Sequence, residues 1–346
     1  MKLSGSPLAN GAEVYPEPPG KSRRRSFHFL LGFLLSAAFL YLALRGINPS
    51  LTWQQLRSVN PALLALAILI GWSTNVVRAI RWKVLLGYST PISLRLVFSV
   101  MMIGYMANNV LPARMGELVR MYLLERRAGL SKSMAAASIV LERIIDALLL
   151  LSLAAAISVF LPLTDLLRKT GLIAGVVFAA AGIVLLLLAF KGEGAARHTA
   201  RIVGVTSETL GQRAQQIVER FAEGLAVLRS IKQAFVVMLL TIAIWIMEAL
   251  AVSAVIGALH LSLPWIAAVF LLVVLSLSFI LPAAPGGVGT YEFFVVAAMV
   301  PFGLDSSRAI GLALVLHAIM YFSSGVLGLA CLWSESLSLR ELKSTA

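Results

Sequence analysis

Charged residues and cysteine are both scarce in this chain of 346 residues. Only 13% of the residues are charged and 59% are hydrophobic, which is too little polar surface to coat a soluble protein of this length. The single cysteine, Cys331, lies within an apolar stretch and has no second cysteine to pair with. A disulfide within the chain and a cysteine-based metal site are therefore excluded, and we expect Cys331 to be a small buried hydrophobic residue.

Acidic residues are scarcer than basic ones, which gives a formal net charge of +13. In a soluble protein such a charge would suggest nucleic acid. In a membrane protein it is explained by positively charged cytoplasmic loops and by attraction to anionic lipid headgroups. We therefore expect membrane lipids as partners and no nucleic acid.

Apolar stretches of about 20 residues recur along the chain, which is the length a helix needs to cross a bilayer. They predict an all-α polytopic membrane protein with about six transmembrane helices. The predicted spans are residues 27–44, 61–80, 134–161, 171–190, 234–259 and 309–333. A single transmembrane domain at 27–335 would then lie between a disordered tail at 1–26 and a second tail at 336–346.

Lysine and arginine place both termini on the cytoplasmic side of a bacterial inner membrane. On this topology Arg143 lies in the membrane, and the basic residues that fall outside are Arg45, Arg57, Arg168, Lys169 and Arg308. Arg78, Arg81 and Lys83 close the second span, and we expect them to extend toward the cytoplasmic surface. The polar stretch 191–233 has apolar residues at helical spacing, so it lies on the inner leaflet or packs on the protein itself.

Two apolar regions are interrupted by helix breakers and are too short to cross twice. The first ascends over 96–111, breaks at 112–116 and returns to the basic residues 125–127. The second runs over 265–281, breaks at 282–289 and resumes through Phe302. We interpret them as two oppositely oriented re-entrant hairpins whose polar backbone faces an interior cavity.

The two halves of the chain show a weak duplication. Leu-Pro-Ala at 111–113 matches Leu-Pro-Ala at 281–283, and Val-Leu-Glu at 140–142 answers Val-Leu-His at 315–317. A first repeat at about 61–161 and a second at about 234–333 would each read as crossing, hairpin, crossing. The hairpins enter from opposite faces, so the halves form an inverted repeat, an arrangement on which many transporters are built.

The glycines of the second break are candidates for binding an anionic headgroup. Gly286, Gly287 and Gly289 can bring N–H groups close to a ligand, and a helix restarting near Thr290 offers it a positive N-terminal end. The alternative is that these glycines only permit a tight turn between packed helices.

Arg114, Glu117 and Arg120 follow the first break at one-turn spacing, so the three can share a helix face. Two guanidinium groups on either side of a carboxylate suit the capture of a phosphate. The alternative is a cluster of positive-inside charges at the membrane edge.

Six further polar side chains lie in apolar surroundings, where an uncompensated charge is costly. Glu142 and Asp146 share a helix face, and Arg143 can reach Asp146, so these three form a structural clasp or bind a ligand. Unpaired groups that relay protons or bind a cationic headgroup are predicted at Glu248, Glu292 and His317, although an intramembrane histidine is often only hydrogen-bonded to a neighbour. For the amides we favour packing across helices, at Asn75, Asn108 and Asn109.

Three stretches, in order along the chain, carry a family resemblance: LPARMGELVR at 111–120, ERIID at 142–146 and PGGVGTYE at 285–292. They resemble the transmembrane region of lysylphosphatidylglycerol synthases over about residues 27–335. In the two-domain members, the multiple peptide resistance factors, this region is similar to a flippase for aminoacylated phosphatidylglycerol, while a soluble domain makes the lipid. The resemblance implies a flippase-like chain. Since the sequence ends at Ala346, we expect no domain that synthesises the lipid. The transported lipid is left open, and lipids of hopanoid and glycolipid pathways are among the candidates.

The leading hypothesis is a lipid translocator, not an enzyme, that needs no cofactor or metal. One alternative is a transferase using a lipid-linked donor, although the sequence has no metal-ligand cluster, nucleophile elbow or Walker loop. Another is an accessory subunit that orders enzymes of a lipid pathway. Expected partners are lipids with an anionic, isoprenoid or aminoacylated headgroup, and a homo-oligomer or a pathway enzyme is a further candidate.

Overall fold

The computed structural model describes residues 33–87, 92–111, 115–158, 165–204, 208–278 and 284–335, which are predominantly helical. Several predicted features lie outside these residues. They are the tails at 1–26 and 336–346, the Pro-Ala pairs at 112–113 and 282–283, and Arg114.

The described residues form a succession of α-helices joined by short turns. In chain order the helices are α1 (Phe33–Leu44), α2 (Pro49–Arg57), α3 (Pro61–Leu85), α4 (Leu94–Val110), α5 (Gly116–Ala128), α6 (Lys132–Ile157), α7 (Asp165–Gly204), α8 (Glu208–Glu223), α9 (Ile231–Ala258), α10 (Trp265–Ser278), α11 (Thr290–Met299) and α12 (Ser306–Ser334). Short 3-10 turns cover Ala226–Arg229, Pro285–Gly287 and Val300–Phe302.

Four segments are long and apolar enough to cross a bilayer: α3, residues Leu172–Thr199 of α7, α9 and α12. Helix α6, with 26 residues, is of similar length but carries three charges near its middle. Helices α1 and α2 form a fifth candidate, a pair bent by 86°. These helices confirm an all-α, multi-pass membrane protein, with four or five candidate spans by length and composition among the described residues where about six were predicted. The identity of the membrane and the cytoplasmic side of the termini stay predictions.

The two interrupted regions form helical hairpins, as predicted. Helices α4 and α5 pack on each other, and so do α10 and α11. With 17, 13, 14 and 10 residues the four arms are roughly 15 to 26 Å long at about 1.5 Å per residue. Each arm is therefore shorter than the roughly 30 Å of bilayer hydrocarbon.

The inverted repeat is confirmed by how the helices pair. Helices α3 and α9 run antiparallel, since the Asn60 amide at the start of α3 donates to the Ala258 carbonyl at the end of α9 over 2.9 Å. The first hairpin packs through α4 on α12, and the second packs in the equivalent way through α10 on α6. Likewise α5 contacts α6 as α11 contacts α12. Exchanging the two halves reproduces this packing pattern.

Two hydrophobic cores lie at opposite ends of the long helices. One joins the first hairpin to the end of α3 and the start of α6, with Trp82, Met101, Leu123 and Leu124 almost fully buried. The other joins the second hairpin to the end of α9 and the start of α12. Each hairpin therefore has its own hydrophobic core at its own end of the long helices.

The segment 191–233 packs on the protein, which was one of the two predicted alternatives. Helix α7 bends at Lys191, and α8 packs along α7 and on α6. The contact is close at Gly192, where a Cβ atom would overlap the side chain of Ala222.

Candidate functional site

Four charged side chains are buried together where the first hairpin meets α3 and α6. Arg81, Arg120 and Glu142 are each 1% exposed, and Asp146 is 6% exposed. Glu142 accepts from both guanidinium groups, from Arg120 at 2.9 Å and from Arg81 at 3.2 Å. Arg81 also binds both carboxylate oxygens of Asp146, at 2.5 and 3.0 Å. Two positive and two negative charges make this cluster electrically neutral, which compensates for burial.

Neighbouring helices supply further contacts that orient the cluster. Helix α9 contributes Thr241, whose hydroxyl lies 3.0 Å from Arg81, and Trp245, whose indole N–H donates to Asp146 over 3.1 Å. The Arg120 guanidinium lies over the Trp82 ring, 3.9 Å from its centre, in a cation–π contact. Within the described residues, its Nε and Nη1 atoms have no hydrogen-bond partner.

The position of Arg81 corrects the sequence interpretation. Arg81 does not extend to the surface but turns inward, and Arg78 does the same, donating to Glu248 over 2.9 Å. The prediction was wrong because it counted both arginines as positive-inside charges at a helix end. A signal was present, since Arg81 follows the fully buried Thr74 by two helical turns and so shares its inward face.

Two ion pairs beside the buried cluster remain accessible, and we call them the rim pairs. They are Arg78–Glu248, with side chains 13% and 28% exposed, and Arg143–Glu117, with side chains 43% and 38% exposed. Both arginines lie within electrostatic range of Asp146 and of Tyr105 on α4. The rim pairs therefore flank the same buried charges from two sides.

The rim pairs correct two further predictions. Arg143 binds Glu117 of α5 at 3.0 Å and not Asp146, because α5 packs against this face of α6. Glu117 and Arg120 consequently have different ion-pair partners, and their role in binding a phosphate stays a prediction. Glu248, predicted to be unpaired, binds Arg78. Glu142 and Asp146 share a helix face, as predicted, but the arginine that joins them is Arg81 and not Arg143.

In the second half, the glycine turn has the backbone that only glycine adopts readily. Gly286, Gly287 and Gly289 have φ angles of 70°, 79° and 85°. Helix α11 begins at Thr290, as predicted, and Glu292 in its first turn accepts from the Gly289 amide over 2.6 Å. One N–H group at this helix end is therefore occupied by the chain's own carboxylate.

Glu292, predicted to be unpaired, binds His317, which agrees with the predicted alternative of a histidine that is hydrogen-bonded to a neighbour. The Nδ1 atom of His317 lies 2.5 Å from Glu292 Oε1, and its Nε2 atom lies 3.0 Å from the Gly286 carbonyl oxygen. The imidazole is stacked on Tyr291, with 4.4 Å between ring centres. The pair joins α11 to α12 in the place where Glu142 and Arg120 join α6 to α5.

The amides contribute packing, as predicted, at two of the three positions. Asn109 donates across helices to Ser324 of α12 over 2.6 Å. Asn108 accepts from the Gly116 amide over 2.8 Å and so caps the start of α5. The packing role of Asn75 stays a prediction.

Comparison with known proteins places this geometry in a family. The sequence profile described as the lysylphosphatidylglycerol synthase TM region matches residues 29–328. The chain belongs to this family. The match includes both hairpins, the buried cluster and the Glu292–His317 pair, and it confirms the resemblance carried by the three sequence motifs.

Several curated relatives of this family member are membrane proteins of similar length. Two UPF0104 membrane proteins of Methanothermobacter thermautotrophicus are 26% and 24% identical to it, over 89% and 88% of the chain and 92% and 93% of the relatives. The glycosyltransferase AglD of Haloferax volcanii is 28% identical over 91% of the chain, which corresponds to 55% of that protein's length. No solved structure matches the chain.

Proposed function

We propose that this chain is a lipid translocator, not an enzyme, that moves a polar headgroup across the membrane while the acyl chains stay in the bilayer. The observation that carries the proposal is the grouping of charged pairs deep between helices of an inverted repeat. Glu142 lies ten residues into α6, about 15 Å from its start at 1.5 Å per residue, which is about half of the hydrocarbon thickness. Charges at that depth are rare and costly unless they have a function or a partner.

The rim pairs are the groups that a headgroup would reach first. A phosphate oxygen can replace Glu117 on the Arg143 guanidinium, because both are anionic acceptors with similar hydrogen-bond geometry. An ammonium group on the headgroup, where one is present, can bind the carboxylate that is released. Exchange of partners keeps the charges compensated throughout, so the barrier to passage is lower than for bare charges in hydrocarbon.

The buried cluster serves this function by holding the first hairpin in place. Arg120 on α5 and Arg81 on α3 share Glu142, so α3, α5 and α6 are held together by charge. Arg114, outside the described residues, stays a sequence-based candidate for the phosphate. The two donor atoms of Arg120 without a partner among the described residues are a second candidate.

A headgroup-flipping assay in proteoliposomes tests the proposal. Lipids labelled on the headgroup are reconstituted with the protein, and a membrane-impermeant quencher measures how fast they change leaflet. We expect Arg143→Gln to slow translocation roughly ten- to a hundredfold, the effect of losing about 1.5 to 3 kcal/mol of charge-assisted hydrogen bonding.

Arg308→Gln is the matched control, because Arg308 pairs with Asp305 on the surface with side chains 63% and 52% exposed. This variant is expected to translocate within about twofold of wild type, as surface pairs contribute little. Equal rates for wild type and Arg143→Gln would reject the role of the rim pairs. If the protein does not accelerate flipping of anionic, aminoacylated or isoprenoid lipids, translocation itself is rejected.

A second candidate is a transferase that uses a lipid-linked donor, and the name of the relative AglD favours it. The chain corresponds to only part of that protein, so the name supports the transferase reading weakly. Formation of a product from labelled lipid donors by the purified chain would favour the enzyme. An accessory subunit is the third candidate, and it predicts that rim-pair variants disturb assembly with a pathway enzyme and leave lipid movement unchanged.

A further inference from the structure

In the two halves of the inverted repeat, side-chain pairs of different chemistry hold the hairpin to its neighbouring long helix. In the first half, α5 is held to α6 by the buried Arg120–Glu142 pair. In the second half, α11 is held to α12 by Glu292–His317. Arginine stays charged at every physiological pH, whereas histidine gains and loses a proton near neutrality. The contact in the first half therefore keeps its charge at every physiological pH, and the contact in the second half depends on a proton.

The contacts of His317 fix how many protons the pair holds. Nε2 faces the Gly286 carbonyl oxygen, which only accepts, so Nε2 carries a hydrogen. Nδ1 and Glu292 Oε1 lie within hydrogen-bond distance of each other, and two such acceptor atoms form a hydrogen bond only with a proton between them. That proton resides on Nδ1, beside a carboxylate, or on Oε1, beside a neutral imidazole. Both forms are neutral overall and hold the same number of protons.

Loss of this proton would turn an attraction into a repulsion. The Nδ1 lone pair would face a carboxylate oxygen, and Glu292 would keep a negative charge at a site that is 5% exposed. Among its described contacts, only the backbone amides of Gly289 and of Glu292 itself would still compensate that charge directly. The same change would weaken the contact between α11 and α12, because Glu292 and His317 are on opposite sides of it.

Other charged or titratable groups around the pair do not replace the proton. Tyr291 stacks on the imidazole and the Tyr321 ring is tilted against it, with ring centres at 4.4 and 4.8 Å. The Tyr321 hydroxyl donates to the Pro285 carbonyl. Glu248 of α9 lies within electrostatic range of Tyr291 but is bound to Arg78. From α1, the neutral Ser36 contacts Thr290 and the Ala284 amide. Among the described contacts of Glu292, His317 is the only side chain that can supply a positive charge.

We propose that Glu292 and His317 form a proton-binding site that holds the second hairpin against α12, and that release of the shared proton frees this hairpin. The proton leaves the site for water or for the arriving headgroup, and the pair recovers it when the hairpin closes. Resting on the translocator function proposed above, this makes opening of the second half of the repeat depend on a proton. The first hairpin stays fastened throughout.

The proton count is measured on the full chain in nanodiscs at pH 7.5. The protein is labelled with ¹⁵N on the rings of its four histidines, and His317 is assigned with the His317→Gln variant. We expect two hydrogen-bearing ring nitrogens on His317, or one together with an infrared band of a protonated carboxyl that is lost in Glu292→Gln. The exposed His198 is the internal reference. A neutral imidazole beside an ionised carboxylate would overturn the proposal.

Opening of the hairpin is measured by amide hydrogen exchange between pH 6 and 9, corrected for intrinsic rates. We expect amides of α11 to lose protection as the pH rises, by tenfold or more, while those of α5 keep theirs. His317→Arg introduces a charge that persists at every physiological pH, as arginine does in the first half, and should remove the pH dependence. His317→Gln keeps a donor for the Gly286 carbonyl but no charge, and it should leave α11 open at all pH values. If protection of α11 in the wild type does not depend on pH, the proposed proton-dependent contact between α11 and α12 is wrong.

The two proposals fail separately. If lipid does not move but the proton count and the hydrogen exchange are as expected, the proton-binding site is supported and the translocator function is rejected. If lipid moves but α11 and α5 respond alike to pH, translocation stands and the proton site is wrong.

Discussion

Neutralising Glu142 is the sharpest test of the buried charge cluster. Glu142→Gln keeps the size of the side chain and one oxygen acceptor but removes a charge that two arginines share, at 2.9 and 3.2 Å. The cluster would then carry two guanidinium groups and one carboxylate, a net positive charge in a site that is 1% exposed. One such pair is worth up to about 4 kcal/mol at an effective dielectric constant of about 20.

We expect Glu142→Gln to lower the free energy of unfolding by about 3 to 5 kcal/mol, the usual effect of removing one partner of a buried pair. Reversible unfolding in mixed micelles, or melting in detergent followed by tryptophan fluorescence, measures it. Glu125→Gln is the matched control, because Glu125 pairs with Lys132 at 3.0 Å with side chains 44% and 59% exposed. The control should lose no more than about 1 kcal/mol.

A second substitution separates charge imbalance from lost contacts. Arg120→Met in the Glu142→Gln background restores neutrality, leaving Arg81 paired with Asp146. We expect the double variant to recover at least about 1 kcal/mol relative to Glu142→Gln alone, which a double-mutant cycle measures. If Glu142→Gln is no more destabilising than Glu125→Gln, or the second change gives no recovery, the cluster does not hold the hairpin by charge.

Two further predictions concern glycines where helices approach closely, and melting temperature in detergent checks both. Gly116→Ala should be clearly destabilising, because its Cβ would overlap the Gly104 carbonyl of α4, whereas Gly71→Ala meets open space and should be neutral or gain up to about 1 kcal/mol. Gly289→Ala should be more destabilising than Gly287→Ala: both have positive φ angles, but only at Gly289 would the Cβ overlap the Ser36 carbonyl of α1. Equal losses within either pair would show that the close approach is relaxed at little cost.

The fold followed largely from the sequence, because the hydrophobic effect acts on segments. A run of apolar residues fixes a span wherever it lies, and a proline or glycine break fixes a hairpin arm that cannot cross. The predicted and observed starts differ by only about three residues for α9 and for α12. The internal match of residues 140–142 with 315–317 likewise identified Glu142 and His317 as equivalent positions, and in the structure each binds the second arm of its own hairpin.

The pairing of the charges was decided only by the tertiary structure. Spacing along one helix limits which neighbours at i+3 or i+4 can meet, and it predicted that Glu142 and Asp146 share a face. It carries no information on how far α3 is rotated or at what depth it crosses α6, which is what brings Arg81 to both carboxylates. The pairing of Arg143 with Glu117 could not be predicted for the same reason, because Glu117 lies on another helix. The sequence by itself therefore determined where charge enters the membrane region, and the packing of helices determined which charges neutralise each other and which remain within reach of a ligand.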